Sequence, residues 1–170
     1  VWGRHHLGDA GPFFGNVTKA GFLTATTENI KEVIMHGRYI FFYGTLMSNF
    51  NNPLQEEVMP LLNYIGPAQI NGYLFNVGRY PGFVPDALGG QVYGEVYELP
   101  EEHNQLLALL DDYEGIGEHH REPYEYQRVT LPVQLERDTV NCWVYVYNYN
   151  LKNCSLISSG DYRDYMRKFS

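Results

Sequence analysis

Cysteine is scarce in this chain: Cys142 and Cys154 are the only two among 170 residues. They form no CxxC pair and no zinc-ligand spacing, and they imply no disulfide framework. Reduced thiols in a cytoplasmic protein are therefore expected. Cationic residues are also in short supply, with 12 Lys and Arg against 20 Asp and Glu, for a formal net charge of -8. Such a chain lacks the cations that displace counter-ions from a phosphate backbone, so nucleic acid is not an expected partner. The acidic residues are spread along the sequence rather than gathered in a tail, which is a solubility pattern. Long apolar runs are missing too, so no membrane-spanning helix is expected.

Several catalytic signatures are absent. There is no GxxxxGK[ST] phosphate loop, and Gly89, Gly90 and Gly94 do not make a dinucleotide fingerprint. Ser48 lacks a GxSxG elbow, and neither cysteine has a papain-like context. His119 and His120 are adjacent, and on extended backbone adjacent side chains point opposite ways. A solvated loop is the reading, and no metal site is expected.

What is present suits one globular domain. The chain is 44% hydrophobic with a mean hydropathy of -0.35. Its length is enough for a core without disulfide or metal support. Fifteen tyrosines help raise the aromatic content to 15%, which fits β-strands.

Residues 1–34, with "VWGRHHLGDAGPFFGNVTKAG", carry scattered glycines and no sustained period. They read as a loop-like extension, with no basic start and apolar run of a secretory signal. Met35 is a candidate start for the domain proper, residues 35–170. From there "RYIFFY" reads as a buried strand. "NNPLQEEVMPLLNYIG" reads as a helix with Asn52 as N-cap, Pro53 at N1 and Gln55 placed for a capping box. Leu54, Val58, Leu61 and Leu62 fall on one face, and Pro60 kinks or ends the helix. "AQINGYLFNVG" is a strand, "RYPGFVPDALGG" a loop, and "QVYGEVYEL" a strand. "PEEHNQLLALLDDYEG" is a leucine-rich helix ending at Gly115. "YEYQRVTLPVQL" and "VNCWVYVYNYN" are strands, and "SSGDYRDYMRKFS" holds a short terminal helix. The expected class is α+β, a small barrel-like sheet with flanking helices.

Two features carry possible chemistry. Glu114 stands at the end of the leucine-rich helix, with Asp111 and Asp112 close in sequence. Helix-end carbonyls and neighbouring acids both make a carboxylate more basic, which suits a general base. Taken alone, Glu114 reads first as one solvated acid in an acidic turn. Tyr43-Gly44-Thr45-Leu46 closes the first strand in a turn whose consecutive amides can form an anion-binding nest, Gly44 allowing close approach and unusual φ. Taken alone it is an ordinary strand-to-loop turn. Arg79 and Arg128 are available to pair with carboxylates.

The ordered set "FFYGTLM", "GRYPGFVPD", "VYGEVYEL", "LLDDYEG" and "YQRVTLPV" resembles the γ-glutamylcyclotransferase-like family. The likeness is strongest to the small branch with γ-glutamylamine cyclotransferase and plant avirulence-induced-gene-like proteins. It spans Arg38 to Tyr149, with an echo at "SGDYRDY". The resemblance implies a small mixed β-barrel with flanking helices, and a pocket for a small-molecule γ-glutamyl substrate. It implies Tyr43, Gly44, Thr45 and Leu46 as the substrate loop and Glu114 as the acid/base. It implies Arg79, Tyr80, Pro81 and Gly82 as a pocket wall, with Tyr126 lining the site. The implied reaction closes a γ-glutamyl compound to 5-oxoproline and frees an amine, with no metal or organic cofactor. A non-catalytic metabolite-binding protein and a γ-glutamyl amide hydrolase are the alternatives.

Overall fold

The computed structural model describes residues 37–169. The extension expected over residues 1–34, and the candidate start at Met35, lie outside the described residues.

The first strand, β1 (Tyr39–Phe42), is short because its apolar run is short. Ile40, Phe41 and Phe42 are all buried. Each such side chain contributes about 1.5–3 kcal/mol on leaving water. β1 pairs antiparallel with β4 (Gly90–Glu98) and parallel with β6 (Asp138–Tyr147). β2 (Asn63–Asn76) runs antiparallel to β4, and β5 (Tyr126–Leu135) runs antiparallel to β6. Ala68 and Gln69 of β2 meet Leu135 and Gln134 of β5, so the circuit closes into a five-stranded barrel. Gly66, Ala68, Ile70, Gly72 and Leu74 alternate inward along β2, as a half-buried strand requires. The expected α+β barrel is what the chain forms.

Two short strands, β3 (Pro81–Pro85) and β7 (Ser155–Leu156), extend the sheet beside the far end of β2. β3 corrects the sequence reading, which made "RYPGFVPDALGG" a loop. Its prolines suggested a turn, but an edge strand tolerates residues that cannot donate to a second neighbour. Phe83 at its centre is fully buried and holds it there.

The helices lie outside the barrel circuit. In α1 (Pro53–Val58) the Asn52 side chain accepts from the Leu54 amide at 2.9 Å, as expected of an N-cap. The capping box does not form, because the Gln55 side-chain amide donates to the Met47 carbonyl instead. After Val58 the backbone tightens into a 3-10 turn over Met59–Leu61, where Pro60 sits. The changed pitch rotates Leu61 out of the apolar stripe, leaving it 55% exposed. α2 (Asn104–Tyr113) starts later than "PEE" suggested and buries Leu106, Leu107 and Leu110. α3 (Tyr162–Met166) is capped by Asp161, whose side chain accepts from the Arg163 amide. Among the described residues, no helix is long and apolar enough to cross a membrane.

Candidate active site

The end of α2 fixes one wall of the site. Gly115 adopts a positive φ of 76°, a conformation that costs a glycine little. Its amide donates to the Asp112 carbonyl at 3.1 Å, and the Ile116 amide donates to the Asp111 carbonyl at 2.8 Å. This paired arrangement is a Schellman motif, and it makes Glu114 the C-cap residue. The turn aims Glu114 into a cavity of about 440 Å³.

β1 supplies the facing wall. Tyr43, Gly44, Thr45 and Leu46 all line the cavity. The Met47 amide donates to the Gly44 carbonyl at 3.0 Å, closing a turn that leaves the Thr45 and Leu46 amides between its ends. Among the described residues neither of those amides has an acceptor. Gly44 does not adopt a positive φ, so the unusual backbone foreseen for it is corrected. Close approach is the reason for glycine here: a Cβ would lie 2.9 Å from Cγ of Pro81.

Arg79, Tyr80 and Pro81 line the same cavity, as does Tyr126, whose hydroxyl donates to the Pro81 carbonyl at 2.9 Å. Gly82 does not line it. Its Cα packs under Tyr147 and Val77, where a Cβ would come within 2.8 Å of each. Tyr43 is buried and donates its hydroxyl proton to the Tyr145 carbonyl at 2.6 Å, so its phenol is a packing element as well as a lining one.

The structure adds residues that the sequence did not single out. Tyr113, Glu125 and Tyr145 also line the cavity. Tyr145 belongs to the alternating run of β6, whose inward positions were legible as a set but not as a site. Glu125 precedes Tyr126 directly, yet nothing local marks it as facing another acid. The Tyr80 hydroxyl donates to it at 3.1 Å. Tyr113 accepts from the Asn52 side-chain amide at 2.6 Å and lies 3.4 Å from the Thr45 hydroxyl. Asn52 thus caps α1 and ties the Gly44–Leu46 turn to the end of α2.

Electrostatics set Glu114 apart. Burial, then the charge of Glu125, then that of Asp111, push its carboxyl up to about 8. Asp112, grouped with Asp111 in the sequence reading, does not contribute. It is 61% exposed and faces His120 at 3.0 Å. Among the described residues no side chain or amide donates to the Glu114 carboxylate. Burial without donors favours the neutral acid and leaves the group free to exchange a proton. The same acids act on their neighbours. Burial and Glu125 push the Tyr80 phenol up to about 12, and burial holds Tyr126 and Tyr145 far above the ordinary phenol range. These tyrosines are therefore neutral hydroxyls at any working pH.

Fold and pocket together define a closed barrel with an enclosed carboxylate facing a strand-end turn. A family model described as gamma-glutamyl cyclotransferase, AIG2-like, matches residues 40–164. The chain belongs to that family. It is 33% identical over 126 residues to the gamma-glutamylcyclotransferase family protein YtfP of Escherichia coli K12, covering 74% of this chain and 96% of that one. It is 36% identical over 124 residues to a putative gamma-glutamylcyclotransferase of Vibrio cholerae, covering 72% and 93%. Among solved structures, a mouse AIG2-like protein superposes with a TM-score of 0.53 at 31% identity, covering 66% of this chain and 79% of that one. The match extends past Tyr149 to Asp164, so the "SGDYRDY" segment falls within the family domain.

Proposed function

We propose that the protein is a γ-glutamylcyclotransferase that converts a γ-glutamyl-amine or γ-glutamyl-amino acid to 5-oxoproline and a free amine. The observation that carries this reading is Glu114: a carboxyl without donors, pushed up to about 8 by burial and by Glu125 and Asp111, at the wall of a cavity. A proton acceptor of that strength is closely matched to a substrate ammonium, which is the condition for efficient general acid–base transfer.

The chemistry follows from the substrate. Its α-ammonium must lose a proton before the nitrogen can attack the γ-carbonyl. Glu114 as carboxylate takes that proton. The new C–N bond closes the lactam as the old amide C–N bond breaks, and Glu114 returns the proton to the departing nitrogen. The second proton shed by the attacking nitrogen follows, so the amine leaves as an ammonium ion. Curling the chain inside the cavity brings nitrogen and carbonyl together, which supplies several kcal/mol of the barrier at about the usual scale for proximity. The Thr45 and Leu46 amides suit the α-carboxylate or the developing oxyanion. Arg79, Tyr80, Pro81 and Tyr126 form the wall along which the leaving group extends.

The test is incubation with a library of γ-glutamyl amines and γ-glutamyl amino acids, reading products by mass spectrometry. Release of 5-oxoproline supports the reading. Release of glutamate identifies a hydrolase, and binding without product identifies a metabolite-binding protein.

A further inference from the structure

The side chain most closely tied to the Glu114 turn, yet outside the cavity, is Arg128 on β5. Its Nε lies 2.9 Å from Oδ1 of Asp111. The Tyr145 hydroxyl donates to the same oxygen at 2.9 Å. Asp111 is one helical turn before Glu114, and its own carbonyl accepts the Ile116 amide of the Schellman turn. Asp111 is therefore held at both ends: its backbone by the turn that carries Glu114, its carboxylate by the barrel.

The arrangement is poorly suited to stability alone. Side-chain exposures are 22% for Arg128 and 19% for Asp111. The guanidinium lies 4.6 Å from the centre of the Trp143 ring, and its Nη1 is buried with no acceptor among the described residues. Removing an ion pair from water is costly unless every donor is satisfied, and this one is not. A cation kept there at such a cost acts on something, and the charge it faces is Asp111.

We propose that Arg128 is a positioning residue for the reaction: through Asp111 it fastens the helix end that carries Glu114 to the barrel and cancels the negative charge one turn away. This rests on the cyclotransferase reading of the site. The groups around Glu114 define how the effect is transmitted. Tyr43 just past β1, Tyr126 of β5 and Tyr145 of β6 face it as neutral phenols, and Tyr80 and Glu125 face it from the loops. Asp111 and Glu125 are the charges that push its carboxyl up, and the Arg128 guanidinium, bonded to Asp111, offsets the first of them. Arg128 therefore acts through Asp111. Losing the guanidinium exposes Glu114 to the full Asp111 charge, which makes its carboxyl harder to ionise.

The experiment compares wild type with Arg128→Gln, Arg128→Lys and Asp111→Asn in the full chain. Two readouts are taken: the pH dependence of kcat/KM, and the carboxyl titration of Glu114 followed by NMR in protein labelled at glutamate side chains. Arg128→Gln is expected to move the Glu114 midpoint upward, and Asp111→Asn to move it downward. Arg128→Lys, which keeps the charge, is expected to stay near wild type. The double variant Arg128→Gln/Asp111→Asn is expected to fall between the two single variants, because both opposite charges are gone. An unmoved midpoint in Arg128→Gln overturns the proposal, as does an Arg128→Lys midpoint that rises as far as that of Arg128→Gln. Should Arg128→Gln not fold, Arg128→Met, which removes the charge and keeps the stem over Trp143, carries the same test. The NMR titration reads the coupling even if no substrate turns over, so failure of the cyclotransferase reading remains distinct from failure of this one.

Discussion

Two acidic residues, one on a barrel strand and one at a helix end, meet opposite treatment. Glu95 on β4 is 3% exposed and well supplied with donors. The Ser48 amide donates to it at 2.7 Å, the Tyr97 hydroxyl at 2.8 Å and Arg163 at 3.4 Å, and the Ser48 hydroxyl also donates. Glu114 has no donor among the described residues and is pushed up to about 8. A buried carboxylate with a full set of partners holds elements in place: Glu95 joins the loop after β1 to α3. A half-buried carboxylate without partners, at the wall of a cavity, is held ready to take a proton. The contrast separates the frame of the site from its chemistry.

The largest expected effect tests the Glu114 side of that contrast. Glu114→Gln keeps the shape and cannot accept the substrate proton, so turnover should fall by about 10²-fold or more. Circular dichroism should show an unchanged fold, and turnover near wild type would remove Glu114 from the chemistry.

Glu95 should show the reverse pattern. Glu95→Ala strips Ser48, Tyr97 and Arg163 of their shared acceptor and should cost about 3 kcal/mol of stability. Chemical denaturation measures this. Loss of activity in the remaining folded protein should appear in KM, because the loop that Ser48 ends has lost its anchor. An unchanged denaturation midpoint would break the comparison.

The loop itself comes next. Gly44→Ala places a methyl against Pro81, and relieving that contact should cost about 1–3 kcal/mol. Affinity for 5-oxoproline, measured by calorimetry, should weaken in parallel. Unchanged affinity would remove the turn from the binding site.

The smallest effect is the pH dependence of stability. The fold raises the Glu114 carboxyl from 4.5 to about 8, so it favours the protonated form. The stability this provides is complete below pH 4.5 and is lost as pH rises through about 8. Melting temperatures of wild type and Glu114→Gln should therefore run together in acid and diverge as pH rises, the Gln variant gaining a few degrees. Activity has the opposite slope, since the reaction needs the carboxylate: kcat/KM should rise with pH toward a plateau above about 8. Parallel melting curves at all pH values would show that Glu114 is solvated after all.

Much of this was legible in residue order. The leucines of α2, the glycine that ends it, and the short apolar run of β1 are local signals, and each produced the element it predicts. So did the Asn52 cap and the β-branched and aromatic run of β4. Where a local signal misled, a distant contact had overridden it. Pro81 and Pro85 read as turn residues but form β3, because β2 offers an edge and Phe83 a buried anchor. Gly82 belongs to a motif that suggested a pocket wall, yet Tyr147 packs over it from a strand far along the chain.

Residue order alone sets the periodicities, the caps and the residue types available to a proton-transfer site, because those depend on neighbours a few positions away. It placed Glu114 at a helix end beside Asp111. That Glu125 acts on that carboxylate, that Pro81 presses on Gly44 and that Arg128 of β5 meets Asp111 of α2 are consequences of tertiary packing. Those contacts depend on strand register and barrel closure. They shift a carboxyl through burial and through the charge of Glu125, which no local pattern places beside it.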